Sequence, residues 1–420
     1  MGIEMKTICV KNAEKLQGNV WIQGSKNTIL PVIAATLLGD GISYIHNCPM
    51  IEDVEVMRQL LACMNVTTTL ENHVLMIDVS HARYAKLPCE LTTKLRSSVL
   101  LLAPILAKWG RVELGVPGGC NIGLRPIDIH LKGLEKMQVT MHEENCVLTG
   151  ETKRLVGTVM QLRFPSVGAT ENLIMAAVTA HGNTILRGVA KEPEIVELCN
   201  YLNAMGAHIE GVGTDVLIIH GVVSLHSCDY CNVYDRIVAG TYLLAAAAIK
   251  SDIRLYGITD ITYIKNVIKT ATDLGVNVIK MDQCLWIRSY GQVREGDFKT
   301  GIYPNFPTDL LSVLIVVLTQ ADKNSTIKEM IFENRFSILT ELEKLGASFV
   351  LDKEQVLIKG MCSLDGNDVC ATDLRQGAAL VIAGLLSRGE TNVKNISYIA
   401  RGYEDIVRDL KDLGTDIEYV

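Results

Sequence analysis

The sequence predicts a two-domain α/β fold built from six repeats of roughly 70 residues, three per domain. Three observations carry that expectation. The chain has 420 residues, long for a single hydrophobic core. An amphipathic helix pattern recurs along it and closes at Met64-Asn65, Met137-Gln138, Met205-Gly206, Leu274-Gly275, Leu345-Gly346 and Leu413-Gly414. A second helix, far more apolar, recurs at a similar spacing.

Gly or Asn just past a helix is the usual left-handed cap, which places the ends of the amphipathic helices. Strand periodicity follows each end, as in Ala207-His208-Ile209-Glu210 and Val276-Asn277-Val278-Ile279. The apolar helices are predicted over 28–38, 95–109, 170–180, 237–249, 310–321 and 374–386. Short strands are predicted after them at 43–45, 111–114, 183–186, 253–255, 325–327 and 391–393. Each unit therefore comprises two helices and about four strands. Helices apolar on every face need a core around them. Sheets should then lie outside, the reverse of a TIM barrel, where strands are buried and helices amphipathic.

Composition narrows the function. Hydrophobic residues make up 48% and charged residues 21% of the chain, with mean hydropathy +0.23. The longest apolar runs, 242–249 and 310–318, are still too short to span a bilayer, so no membrane insertion is expected. The first 15 residues mix Glu, Lys and Asn without an apolar block, so no signal peptide is expected. Net charge is −7 and no basic run is present, which argues against nucleic acid as a partner. The 12 cysteines are scattered, as expected in a reducing cytoplasm. Cys228 and Cys231 have Cys-x-x-Cys spacing, but no second pair completes a zinc site. The nine histidines are dispersed along the chain, so neither a metal nor a cofactor is expected. No phosphate loop or dinucleotide fingerprint is present, which disfavours an NTPase or a dehydrogenase.

One loop stands out: Gly118-Gly119-Cys120-Asn121-Ile122-Gly123-Leu124-Arg125-Pro126-Ile127-Asp128-Ile129-His130. Glycines around a single cysteine permit a mobile lid, and Arg125 favours the thiolate. Taken alone, the segment reads equally as an active-site lid and as a surface turn with an inert thiol. Polar residues gather near the N-termini of the apolar helices: Lys26 and Asn27, Lys94 and Arg96, Ser166 with Gly168, Asp235 and Arg236, Asp309, and Asp373 with Arg375. Helix N-termini bind anions. Singly, Asp309 and Asp373 read as N-caps, Asp235-Arg236 as a local ion pair and Arg401 as a loop cation. Their recurrence at equivalent points favours one shared site. Lys and Arg in such numbers suit a small substrate carrying phosphate and carboxylate groups.

In order along the chain stand Gly24-Ser25-Lys26-Asn27, Leu95-Arg96-Ser97-Ser98, the Cys120 loop, and Ser166-Val167-Gly168-Ala169-Thr170-Glu171-Asn172. Asp235-Arg236, Phe306-Pro307-Thr308-Asp309, Glu333-Asn334-Arg335-Phe336, Thr372-Asp373-Leu374-Arg375 and Arg401-Gly402-Tyr403-Glu404 follow. In these motifs the chain resembles the enolpyruvyl transferases from end to end. The Cys120 loop is similar to that of the sugar-nucleotide branch, since the shikimate branch lacks this cysteine. The resemblance implies a two-domain inside-out α/β barrel. It places domain one at 25–233, domain two at 1–24 plus 234–420, and the active site in the cleft between them. It implies transfer of the enolpyruvyl group of phosphoenolpyruvate to the 3-hydroxyl of UDP-N-acetylglucosamine, releasing phosphate, in the bacterial cytoplasm at the first committed step of peptidoglycan synthesis.

The same resemblance assigns roles. Asp309 corresponds to the base that takes the hydroxyl proton, which requires an environment that raises its pKa. Cys120 corresponds to the loop thiol, active in proton transfer or product release and alkylated by fosfomycin. Lys26, Arg96, Arg125, Arg335, Arg375 and Arg401 correspond to the groups that hold phosphate and carboxylate. Asn27, Asp309, Ile331, the run Arg125, Pro126, Ile127, Asp128 and Ile129, and Ser166, Val167 and Gly168 correspond to sugar-nucleotide contacts. Asp373 corresponds to a carboxylate that helps closure. Several positions depart from the family pattern: Asn305 for Gly, Val238 for Glu, Ile338-Leu339 for a His-containing pair, and Leu124 for a small residue. Asn305 bears most directly on Asp309.

Overall fold

The computed structural model describes residues 7–118, 123 and 125–420. They fall into two compact units, one containing 7–23 and 234–420, the other 24–118 and 125–233.

In the first unit the helices Arg236–Ala248, Leu311–Leu318 and Leu374–Leu386 pack on one another. All eight residues of Leu311–Leu318 are buried, because that helix has no polar face to offer water. Three four-stranded sheets accompany them. Lys15–Trp21 runs parallel to Lys250–Tyr256, which pairs antiparallel with Cys284–Tyr290. Alternation decides which side chains go inward: Ile253 and Leu255 are fully buried, while Arg254 lies over the Trp286 ring at 5.1 Å. Thr7–Lys11 is inserted between Glu390–Lys394 and Ile417–Tyr419, so the start of the chain completes a sheet made from its end.

The second unit follows the same plan around Lys26–Ala35, Leu102–Trp109 and Val167–Ala177. Two of its sheets have four strands and the third has three. Six sheets are thus present among the described residues, and five carry one parallel edge strand. The exception pairs Arg111–Gly115 with Val147–Glu151, where a single parallel bridge, Leu87 to Leu114, replaces the expected fourth strand. Pro88 follows Leu87 and has no N–H to extend the ladder.

The amphipathic helices end as the glycine and asparagine pattern requires. Asn65, Gly206, Gly275, Gly346 and Gly414 have φ of 60°, 100°, 106°, 96° and 85°, and Gln138 reaches 69° without being either residue type. Two apolar helices begin later than the sequence suggests. Residues Arg96–Leu101 and Thr308–Leu310 form tighter 3₁₀ turns, and regular α-helix starts at Leu102 and Leu311. Pro104 sits in the first turn of Leu102–Trp109, where its missing N–H costs nothing.

Leu314 is 1% exposed at the centre of the first unit. Leu314→Ala should destabilise the protein by about 2–5 kcal/mol, read from the urea midpoint at unchanged m-value.

Candidate active-site clusters

In the unit containing 234–420, three chain segments converge on one carboxylate. Asp309 lies in the 3₁₀ turn Thr308–Leu310, Arg335 opens the turn Arg335–Ser337, and Arg375 is the second residue of Leu374–Leu386. Arg335 Nη2 donates to Asp309 Oδ1 at 2.7 Å, and Arg375 Nη2 donates to Oδ2 at 2.9 Å. Both guanidinium groups are buried, at 4% and 7% side-chain exposure, whereas Asp309 keeps 25%. Asp309 is therefore no helix cap. Asp373 is: it accepts from the N–H groups of Arg375 and Gln376 at 2.8 and 3.0 Å, which fixes the backbone that carries Arg375. Asp235 caps the neighbouring helix in the same way, through Ile237 and Val238.

Burial alone would raise the Asp309 pKa. The charges of Arg375 and Arg335, a hydrogen bond from Arg375 and the charge of Arg236 outweigh it and hold the carboxyl below the usual carboxylate range. This corrects the expectation of a raised pKa. The physical reason is that two cations share one anion. Arg335 Nε and Arg375 Nη1 are buried without a hydrogen-bond partner among the described residues.

Glu329, which sequence reasoning missed, ties this region together. It is 3% exposed and accepts from Thr308 Oγ1 at 2.9 Å and from the N–H groups of Ile331 and Phe332 at 2.7 and 3.1 Å. It thereby connects the Asp309 segment to Ile331 and to the approach to Arg335. Arg401 follows the one-turn helix Ser397–Ala400. Its neighbour Gly402 lies so close to Leu374 that a Cβ there would meet Leu374 Cδ2 at 2.6 Å.

In the other unit, Lys26 is the first residue of its helix, capped by Ser25. Its Nζ lies 2.6 Å from Asp53 Oδ2, and Asp53 is 3% exposed. Asn27 follows, half-buried. Arg96 donates to the carbonyl of Pro117 at 3.0 Å and to that of Arg125. Burial and the charge of Arg125 push the Arg96 guanidinium down to about 10.

His130 links two of the expected stretches. Asn172 Nδ2 donates to His130 Nδ1 at 2.9 Å, and Gly168 approaches the same ring closely enough that a Cβ would sit 3.2 Å from Cε1. Burial, then the charge of Arg96, lowers His130 to about 3 against the pull of Asp128, so the ring is neutral. Asp128 takes an ion pair from Arg163 at 2.7 Å, and Ser166 caps Val167–Ala177. The structure thus packs helix Asp128–Lys136 against helix Val167–Ala177, with His130 meeting Gly168; Pro126 is exposed. Cys120 and Leu124 lie outside the described residues.

The departures at 238, 305, 338 and 339 supply none of the side chains that bond Asp309. Asn305 is absent from the left-handed backbone positions, so it needs no glycine, and its Nδ2 donates to the Ile302 carbonyl at 2.9 Å. Val238 and Ile338 are fully buried and Leu339 nearly so. The Val238 N–H is already satisfied by Asp235.

The profile of the family described as EPSP synthase (3-phosphoshikimate 1-carboxyvinyltransferase) matches residues 10–410. The chain is 41% identical over 416 residues to UDP-N-acetylglucosamine 1-carboxyvinyltransferase 2 of Clostridium tetani, covering 98% of this chain and 99% of that one. It belongs to the UDP-N-acetylglucosamine 1-carboxyvinyltransferase family. Among solved structures, the enolpyruvyl transferase NikO from Streptomyces tendae superposes with a TM-score of 0.90 at 24% identity, covering 98% of each chain. EPSP synthase from Acinetobacter baumannii gives 0.76 at 16% identity, covering 98% of this chain and 99% of that one. These two share the fold of this carboxyvinyltransferase family member.

Asp309→Asn should destabilise the protein by about 3 kcal/mol near neutral pH, because it leaves two buried guanidinium groups without a counter-charge. A carboxyl held below its ordinary value of 3.8 stabilises the fold above that value, and the stabilisation is lost as pH falls through the lowered one. The gap in urea midpoint between wild type and variant should therefore narrow between about pH 5 and about pH 3.

Proposed function

We infer that the chain transfers the enolpyruvyl group of phosphoenolpyruvate to the 3-hydroxyl of UDP-N-acetylglucosamine and releases phosphate, the first committed step of peptidoglycan synthesis. The observation that carries the inference is the Asp309 carboxylate held between Arg335 and Arg375 in a chain similar to named carboxyvinyltransferases over its whole length.

The chemistry asks for one base and several anion-binding groups. Asp309 is the proposed base for the sugar hydroxyl. While paired with two arginines it is a weak base. Substrate anions that draw Arg335 and Arg375 away would weaken that pairing and raise its proton affinity where the hydroxyl arrives. The hydroxyl oxygen then adds to C2 of phosphoenolpyruvate while C3 gains a proton. Loss of a C3 proton and cleavage of the C2–O bond to phosphate restore the enol ether.

Arg335, Arg375 and Arg401 in one unit, and Lys26, Arg96 and Arg125 in the other, are the proposed ligands of phosphate and carboxylate. Fork-shaped guanidinium groups match both geometries, and the unpartnered Arg335 Nε and Arg375 Nη1 are donors ready for an anion. Asn27, Ile331, Arg125 through Ile129 and Ser166 through Gly168 are the proposed sugar-nucleotide contacts. Asp373, whose carboxylate fixes the Arg375 backbone, is the proposed closure residue, and Cys120 the proposed loop thiol.

The finer architecture belongs to the same proposal. The six sheets and six apolar helices are repeats, three in each of two inside-out barrels, with domain one at 25–233 and domain two at 1–24 plus 234–420. The six left-handed helix ends and the recurrent parallel edge strands support this. A bacterial cytoplasm suits the substrates. The described cysteines form no disulfide, and no described helix is long and apolar enough to cross a membrane.

Purified protein should release inorganic phosphate only when both substrates are present. Asp309→Asn should lower kcat by roughly 10²–10⁴-fold while retaining UDP-N-acetylglucosamine in a binding titration. Phosphate release without the sugar nucleotide, or an unchanged kcat in the variant, would overturn the assignment. Fosfomycin should add once per chain, by mass spectrometry, and Cys120→Ser should abolish the adduct.

A further inference from the structure

In the unit of residues 24–233, strand His208–Glu210 pairs antiparallel with Val216–His220 in a register that sets His208 opposite His220. Side chains alternate across a strand, so His208, Glu210 and His220 share one face, while Ile209 and Ile219 point to the core at 5% and 0% exposure. None of the three has a part in the proposed transfer reaction. We propose that His208, Glu210 and His220 form a binding site for one divalent transition-metal ion of the zinc class.

The three donor atoms lie within 4.8 Å of one another. His208 Nε2 and His220 Nε2 stand 3.2 and 3.3 Å from the same Glu210 oxygen. Bonds of about 2.0–2.1 Å to a tetrahedral ion imply donor separations of about 3.3–3.4 Å, so two of the three edges already have the required length. The outer partner is also in place. Asn183 Oδ1 lies 3.1 Å from His220 Nδ1, placed to accept a proton there and so leave the Nε2 lone pair to an ion. Metal-bound histidines are held in this way, with the far ring nitrogen tied to an oxygen that fixes the tautomer.

The two rings lie with centroids 4.4 Å apart, so a single ion can reach both imidazoles and the carboxylate oxygen beside them. Two imidazoles and a carboxylate suit zinc, nickel or copper better than magnesium or calcium. The three side chains are 62%, 53% and 33% exposed, so an ion can reach them from solvent and keep water at its remaining position. Spacing along the chain hides the site, because the ligands meet only across paired strands.

The test is a cobalt(II) titration of full-length, chelator-stripped protein followed by visible absorption, which separates imidazole and carboxylate ligands from the chain's cysteines by the absence of a thiolate charge-transfer band. One ion per chain is expected, with zinc displacing it. Affinity should fall at least about tenfold in His208→Gln and in His220→Gln, and about 10–100-fold in Asn183→Ala. Phosphate release by metal-free protein should be unchanged in all three variants, which also shows that they fold. Failure to bind one ion, a thiolate band, or undiminished binding in the double variant His208→Gln/His220→Gln would overturn the proposal.

Discussion

A helix buried on every side accommodates charged groups most readily at its ends. That constraint organises this protein. Lys26 opens one apolar helix and Asp373 and Arg375 open another, while Arg96 and Asp309 stand in the 3₁₀ turns that lead into two more. Charged side chains placed mid-helix would be desolvated without partners. At the N-termini they join unpaired N–H groups and the positive end of the helix dipole, so the same places that tolerate charge also attract anions. The core and the candidate chemistry are two consequences of one packing arrangement.

The Asp309 cluster shows how such charge is tolerated. Arg335 and Arg375 are almost fully buried, and each is neutralised by one oxygen of the same carboxylate. Two guanidinium groups thus share one carboxylate in a region of restricted hydration, an arrangement consistent with the proposed binding of a phosphate or carboxylate there. Elsewhere the accounts are closed: Lys26 with Asp53, and Glu329 with one hydroxyl and two backbone N–H groups.

Much of the fold was legible because its signals are local. Helix ends at Asn65, Gly206 and Gly414 are written in one or two residues, and the apolar helices in runs of a dozen. What escaped detection depends on distant pairing. Asp53 reads as an ordinary acid in a helix's first turn, and only the approach of Lys26 explains its burial. Glu329 reads as a strand-end carboxylate until Thr308 arrives from 21 residues away. The His130–Gly168 contact likewise needs the two stretches to be folded together. Local patterns name residue types suited to a site; tertiary contacts decide which acid is a cap, which is a counter-ion and which a clasp. Asp373, Asp309 and Glu329 illustrate the three outcomes.

The departures from the family pattern follow the same division. Val238 stands for a Glu and the pair Ile338-Leu339 for a pair containing one His, and all three lie in the core, where a lost carboxylate or imidazole removes a desolvation penalty and adds packing. Asn305 replaces a glycine where the backbone has no left-handed demand, and its amide fastens the turn to Ile302. That turn leads into the segment bearing Asp309, whose position is fixed more strongly by Arg335, by Arg375 and, through Thr308, by Glu329. Both carboxylate oxygens and the preceding Thr308 are held by groups other than Asn305. The changes at 238, 305, 338 and 339 therefore alter what surrounds the proposed anion-binding groups and replace none of them.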